Sequence, residues 1–200
     1  MPEQQHPINV LWERLAAAQP SAVVQRTEAA YDPDRHVFRL LLCACEHTVD
    51  PATRSVVAAD GPAGYEAKLV CVQYLLVAQD RPLSGQTVLA TTLPYGDFFF
   101  RGPHPMPTAR IEAAFGEDTV SFAAAAEALG GRPVDMGDAA FEFPALPRLP
   151  ITIVLWTADD EFPARAQFLF DSTAHLHLPL DALWLLTRIL AKRLVVAGGS

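Results

Sequence analysis

The chain has 200 residues, half of them hydrophobic and 19% charged, with a formal net charge of −8 and a pI near 5.1. That composition excludes a disordered chain, and the length is enough to bury a sizeable core. The acidic balance argues against general nucleic-acid binding, because phosphate neutralisation needs clustered Lys and Arg, and the basic residues are scattered apart from the pair Lys192-Arg193.

No uninterrupted apolar run approaches the roughly 20 residues of a membrane helix. The start of the chain, MPEQQHPINVLWERL, has neither the basic nor the apolar region of a secretion signal, so a cytoplasmic location is expected, with the cysteines reduced. The 17 prolines imply several irregular connections.

In chain order, Pro7 to Ala18 reads as a first helix with Leu11, Leu15 and Ala18 on one face, ended by Pro20. Ser21 is placed to cap a short second helix through Arg26. Tyr31 to Asp34 is a turn, since Pro33 presets φ and Asp bonds its own backbone. His36 to Val49 is strand-like, with a bend near Ala44, and Asp50 to Arg54 forms a hairpin tip returning through Val56 and Val57. A loop from Asp60 to Gly64 leads into a helix from Tyr65 to about Ala78, with Leu69, Val72, Leu75 and Leu76 facing the core. Pro82 to Gly85 is a turn, Thr87 to Leu93 a strand, and Phe98 to Phe100 an aromatic patch that either lines an apolar pocket or belongs to the core. Two helices follow, Thr108 to Phe115 and Thr119 to Leu129, the second stopped by Gly130-Gly131. Phe141 and Phe143 mark a strand, which Pro144 to Pro150 links onward.

Ile151 to Trp156 is a β-branched and aromatic run of strand length, and Phe168 to Phe170 is a second apolar run after a short polar connection. Together they read as an antiparallel hairpin with one face on the core. Asp171 to Thr173 is a turn, and Leu180 to Val196 is the clearest helix, with Leu180, Leu183, Trp184, Leu190 and Leu194 at helical spacing and Trp184 buried. Lys192-Arg193 falls near its end, where cations oppose the negative end of the dipole. The expected architecture is one α+β domain over residues 1–200, mainly antiparallel sheet, with this C-terminal hairpin packed against several helices.

Three groupings carry candidate chemistry. Cys43, Cys45 and His47 alternate along a strand and invite a metal reading. Side chains two apart on a strand are ~6.6 Å apart, whereas zinc ligands at ~2.0–2.3 Å bonds lie within ~4 Å of each other, so buried thiols are the plainer account. Cys71 falls on the core side of its helix. Asp159, Asp160 and Glu161 suit metal ligands, an acid–base pair or a solvated acidic turn, and the solvated turn is preferred. His175 and His177 alternate along an extended segment beside Asp171, an arrangement that suits a ligand or metal site, an acid–base pair or surface histidines; surface histidines are preferred. Along a regular hairpin Asp171 lies ~33 Å from Glu161, so these are separate places, and Asp171 is expected in an Asx-type turn with the backbone after it. No Gly-rich phosphate loop and no Gly-x-Ser-x-Gly elbow is present.

The stretch with Leu155-Trp156, Asp159-Asp160-Glu161-Phe162-Pro163, Leu169-Phe170-Asp171 and Leu178-Pro179 resembles the signature of domain-of-unknown-function family 3786, found in bacteria and archaea. Leu83-Ser84-Gly85, Leu129-Gly130-Gly131 and Asp138 are similar to weaker landmarks of that family. The resemblance implies no established activity. It does imply that some members carry a cysteine-rich iron–sulfur segment of the kind seen with corrinoid proteins, from which this chain departs in having no four-cysteine run.

The sequence thus points first to a non-enzymatic module that binds a small molecule, a cofactor or a protein partner. The alternative is a metal-assisted enzyme built on Asp171, His175 and His177 or on the acidic turn. It names no cofactor, no partner and no oligomeric state.

Overall fold

The computed structural model describes residues 7–199; residues 1–6 of the N-terminal stretch read above for a secretion signal lie outside the described residues. Helices α1 (Pro7–Ala16) and α2 (Pro20–Thr27) open the fold. Pro20 begins the second helix instead of ending the first. It occupies the first turn, where its missing N–H costs nothing, and Gln19, not Ser21, is the flanking residue.

A five-stranded antiparallel meander follows, in the order β1 (Ala30–Asp32), β2 (Val37–Leu42), β3 (Cys45–Asp50), β4 (Ser55–Ala58) and β5 (Gly61–Pro62). The two Asp turns form as expected. Asp32 Oδ1 accepts from the amides of Asp34 and Arg35, and Asp50 Oδ1 from those of Ala52 and Thr53. The stretch from His36 to Val49 is two strands, not one bent strand. Cys43 and Ala44 form a two-residue turn with φ of 48° and 63°, the double positive φ of a type I′ hairpin. Neither residue favours that region, which costs each about 1–2 kcal/mol. The turn is held from outside: the Cys43 amide donates to the Ala145 carbonyl at 2.9 Å, and the Cys43 side chain is buried.

Helix α3 (Tyr65–Val77) buries Val70, Cys71, Val72, Tyr74 and Leu75, which spread over more than half of its circumference. It is covered from several sides, packing against α1, α2, β3 and β4 and against the last helix. After it come β6 (Thr87–Leu89), a 3₁₀ turn (Ala90–Thr92), and α4 (Gly96–Phe100). The expected strand from Thr87 to Leu93 thus stops early. The aromatic patch is helical, so its rings diverge: Phe98 is exposed, Phe99 half-buried and Phe100 buried. Helices α5 (Thr108–Phe115) and α6 (Thr119–Ala128) match their expected spans. Asp118 caps α6, and Gly130, at φ 71°, ends it as the Gly131 amide reaches back to the Ala126 carbonyl.

The second sheet is also five-stranded and antiparallel, in the order β6-β10-β9-β8-β7, formed with β7 (Arg132–Pro133), β8 (Ala139–Leu146), β9 (Leu149–Trp156) and β10 (Arg165–Asp171). The expected hairpin is β9–β10, with Trp156 opposite Arg165. Its central strand β9 is buried on both faces, which is why Ile151 to Leu155 is apolar at every position but the buried Thr152. The segment Pro144 to Pro150 is not a linker. Its ends extend β8 and β9, leaving Pro147 and Arg148 as the turn, and a register irregularity lies between Phe143 and Leu146. Pro144 lacks the N–H that a regular ladder needs, and the neighbouring Ala145 supplies the carbonyl that holds the Cys43 turn.

Helix α7 (Ala174–His177) leads into α8 (Leu180–Ala197), which packs against α3, α5, α6 and α7. Leu183, Leu186, Leu190 and Leu194 are fully buried along it, each burial stabilising by about 1.5–3 kcal/mol. Trp184, expected in the core, is half-buried. Its indole N–H donates to the Pro105 carbonyl at 2.9 Å, and its ring meets that of His104 edge-on at 5.0 Å. The α+β class and the hairpin-on-helices arrangement are as expected from the sequence. Among the described residues, no helix is long and apolar enough to cross a membrane.

The fully buried Tyr74 hydroxyl donates to the Thr27 carbonyl at 2.8 Å and accepts from the Arg148 amide at 3.1 Å. Tyr74→Phe leaves both groups without this partner. Urea denaturation is expected to show a loss of about 1–3 kcal/mol with an unchanged m-value.

Candidate functional site

The residues singled out in the sequence fall in separate places. Asp171 ends β10 and is clamped: its Oδ1 accepts from the amide of Ser84 at 3.1 Å and from the amide and hydroxyl of Thr173 at 2.9 and 2.6 Å. Its Oδ2 accepts from the Gly85 amide at 2.8 Å, and the Ser84 hydroxyl lies 2.9 and 3.0 Å from the two oxygens. The expected Asx turn is present, and the Pro82–Gly85 turn is pinned to the same carboxylate. Burial alone would raise this carboxyl's pKa, but the hydrogen bonds from Thr173 and Ser84 outweigh it and hold the value at about 2.

His175 and His177 do not alternate along an extended segment. They lie in α7, where residues two apart point to different sides. His175 Nδ1 is 3.0 Å from the Ser172 carbonyl, whereas His177 is fully buried with neither ring nitrogen partnered. Burial keeps His177 neutral by lowering its pKa, with the positive charge of Arg148 acting the same way. The expectation of two histidines sharing one solvated side is therefore corrected.

At the far end of the hairpin, Asp159 Oδ1 accepts from the amides of Glu161 and Phe162 at 2.8 and 2.7 Å, shaping the loop, while Asp160 and Glu161 are exposed. Beside this loop is a groove of about 580 Å³, where the Arg165 guanidinium lies 4.3 Å from the Trp156 ring centroid. Asp138, on its wall, accepts from the Thr157 amide and hydroxyl at 2.8 Å each, which lowers its pKa.

The three thiols are free and buried, and the Cys43–Ala44 turn places Cys43 outside strand β3, so it does not share one strand face with Cys45 and His47. Burial pushes the Cys43 thiol up to about 12 and raises Cys71 further. Among the described residues, no three His, Cys, Asp or Glu side chains are grouped so as to hold a metal ion.

A different cavity brings together residues that no sequence spacing links. It has a volume of about 630 Å³ and lies where β3, β4 and β5 meet the start of α3, the end of α6 and the last turns of α8. Ala58, Ala63, Ala67, Leu129, Ile189 and Val196 give it largely apolar walls, and His47, Asp60, Tyr65, Glu66, Lys192 and Arg193 supply the polar groups. The size and the mixture are those of a small-molecule site.

Each polar side chain is positioned by its element. His47 sits at an inward position of β3, 4% exposed, with Nδ1 2.9 Å from the Cys45 carbonyl. A carbonyl only accepts, so Nδ1 carries the proton, and in the neutral ring Nε2 is left as an acceptor. Burial lowers the pKa of His47 and favours that neutral form. Gly61, at φ 134°, turns the chain after Asp60, whose Oδ2 receives Arg193 Nη1 of α8 at 3.1 Å. That hydrogen bond holds the Asp60 carboxyl below its usual range. Arg193 therefore serves this contact instead of the helix dipole. Glu66, in the first turn of α3, receives Arg188 at 3.0 Å, and Arg188 lies 4.8 Å from the Trp184 ring centroid. Sequence reasoning singled out His47 for a metal and Lys192-Arg193 for the dipole, but missed Asp60, which meets Arg193 across 133 positions.

Two outcomes follow. Asp171 is more acidic folded than unfolded, so its contribution is full above pH 4 and is lost as pH falls from about 4 to 2. Asp171→Asn is expected to cost about 2–3 kcal/mol at pH 7 and to flatten the stability profile over that range, as read by urea titrations at several pH values. The buried thiols are expected to react with a thiol reagent in denaturant alone; fast labelling of the native protein would contradict their burial.

No curated protein and no solved structure matches the chain. The family model for the domain of unknown function DUF3786 matches residues 19–193, through both sheets and into α8. The chain belongs to that family.

Proposed function

We propose that the protein is a single-domain, non-enzymatic binding module of the cytoplasm, and that the cavity between α3, α8 and the first sheet receives a small amphipathic molecule. The observation that carries this reading is the cavity itself: about 630 Å³, mostly apolar walls, and a buried His47 whose Nε2 is left as an acceptor. Apolar walls favour a ligand body that leaves water, at roughly 25 cal/mol per Å² of apolar surface removed. The polar groups give orientation. The formal charge of −8 supports a partner other than nucleic acid, and three buried thiols suit a reducing compartment.

The Asp171 group supports a structural role more than a catalytic one. Its carboxylate oxygens are already engaged by the Ser84–Gly85 turn and Thr173, and Asp159 is likewise committed to its own loop.

The test uses N-phenyl-1-naphthylamine, a neutral apolar dye that brightens out of water. Ala67 is half-buried on the cavity wall, and Ala67→Phe fills the space from there. Wild type is expected to enhance the dye's fluorescence saturably, and Ala67→Phe to lose most of that enhancement with an unchanged far-UV spectrum. Equal enhancement in both proteins would place the dye elsewhere and defeat the reading.

A further inference from the structure

We infer that the cavity selects a ligand carrying an anionic group, such as a medium-chain carboxylate, with Lys192 as the residue that meets it. This rests on the reading of the cavity as a binding site and adds the charge class of what enters.

The charges around the cavity do not cancel. Four charged side chains and one histidine line the cavity, beside the phenol of Tyr65: Asp60, Glu66, Lys192, Arg193 and His47. Arg193 is neutralised by Asp60 at 3.1 Å, and Glu66 is neutralised by Arg188 at 3.0 Å. His47 is kept neutral by burial. Lys192 is exposed beside its paired neighbour, and among the described residues no acidic side chain lies within ion-pair distance of it. The cavity therefore carries one uncompensated positive charge in a protein whose formal charge is −8. Helix α3 adds to it: Gly64 provides no side-chain cap, so the positive end of a 13-residue helix opens toward the same space. Low-dielectric walls strengthen that field for a ligand seated between them. A carboxylate at Lys192 gains the attraction while its chain lies on the apolar walls. A cationic head of the same length meets repulsion.

The experiment displaces N-phenyl-1-naphthylamine from the full-length chain with three ten-carbon probes: decanoate, decanol and decyltrimethylammonium. It is run on wild type, Lys192→Glu and Lys192→Arg. Because the tails match, the effect of substitution on each probe isolates the head group. Lys192→Glu is expected to weaken decanoate by about fivefold to tenfold, the effect of turning an attractive exposed pair into a repulsive one. It should leave decanol within about twofold and tighten the ammonium probe, while Lys192→Arg retains the wild-type order. Decanoate and decanol weakened equally, or neither changed, would overturn the charge selection and leave the cavity reading intact. Failure of all three probes to displace the dye from wild type would overturn both.

Discussion

The structure depends on a helix covered on several sides at once. Helix α3 buries side chains over more than half of its circumference, so several neighbours must each cover one part of it. Its single buried phenol then decides where those neighbours sit. The Tyr74 hydroxyl donates to the last turn of α2 and accepts from the amide of the β8–β9 turn. A buried hydroxyl left unpaired costs about 1–3 kcal/mol, while a neighbouring position that satisfies it gains about 1 kcal/mol. That asymmetry fixes three distant segments relative to one another. Arg148 reinforces the junction from the same turn, reaching Asp80 at 2.9 Å, Glu28 at 3.2 Å and the Gln25 carbonyl at 3.2 Å. These outer contacts are partly solvated and contribute less energy than geometry.

Fixing α3 also fixes the cavity, because the helix begins at its wall. Gly64 and the residues after it form one side, the Ala58 end of β4 another, and the last turns of α8 the third. The Asp60–Arg193 pair closes the arrangement. Asp60 is exposed and its ion pair is screened, so the pair stabilises the fold little. Its effect is to hold the β4–β5 turn against α8 and to consume the charge of Arg193, which leaves Lys192 to set the sign of the field.

What the sequence revealed follows from where each signal was stored. Helices α5, α6 and α8 carry their periodicity and stop signals locally, so their spans emerged within a residue or two. The β9–β10 hairpin announced itself by a β-branched run. The Cys43–Ala44 turn did not, because neither residue favours a positive φ; the conformation is imposed by the Ala145 carbonyl, about a hundred residues away. His175 and His177 were misplaced for a related reason. Four helical residues between a turn and Pro179 are too few to show a period. The same limit hid the cavity. Asp60 sits in a Gly-Pro loop that looks like an ordinary turn, and only the packing of α8 brings Arg193 to it.

The contrast between the two ends of this protein explains why residue type alone misdirects a search for function. Asp171 with two histidines nearby has the composition of a reactive site. Its oxygens, however, are saturated by Ser84, Gly85 and Thr173, and a saturated carboxylate has already spent the capacity that a metal or substrate would use. His47 has the composition of a core residue, and its burial agrees. Yet its protonated nitrogen is fixed by its own strand, which leaves the other an acceptor. Lys192 is ordinary on any helix, and becomes distinctive because its neighbours are paired. In this fold the candidate site is marked by bonding capacity left over once the structure has satisfied itself.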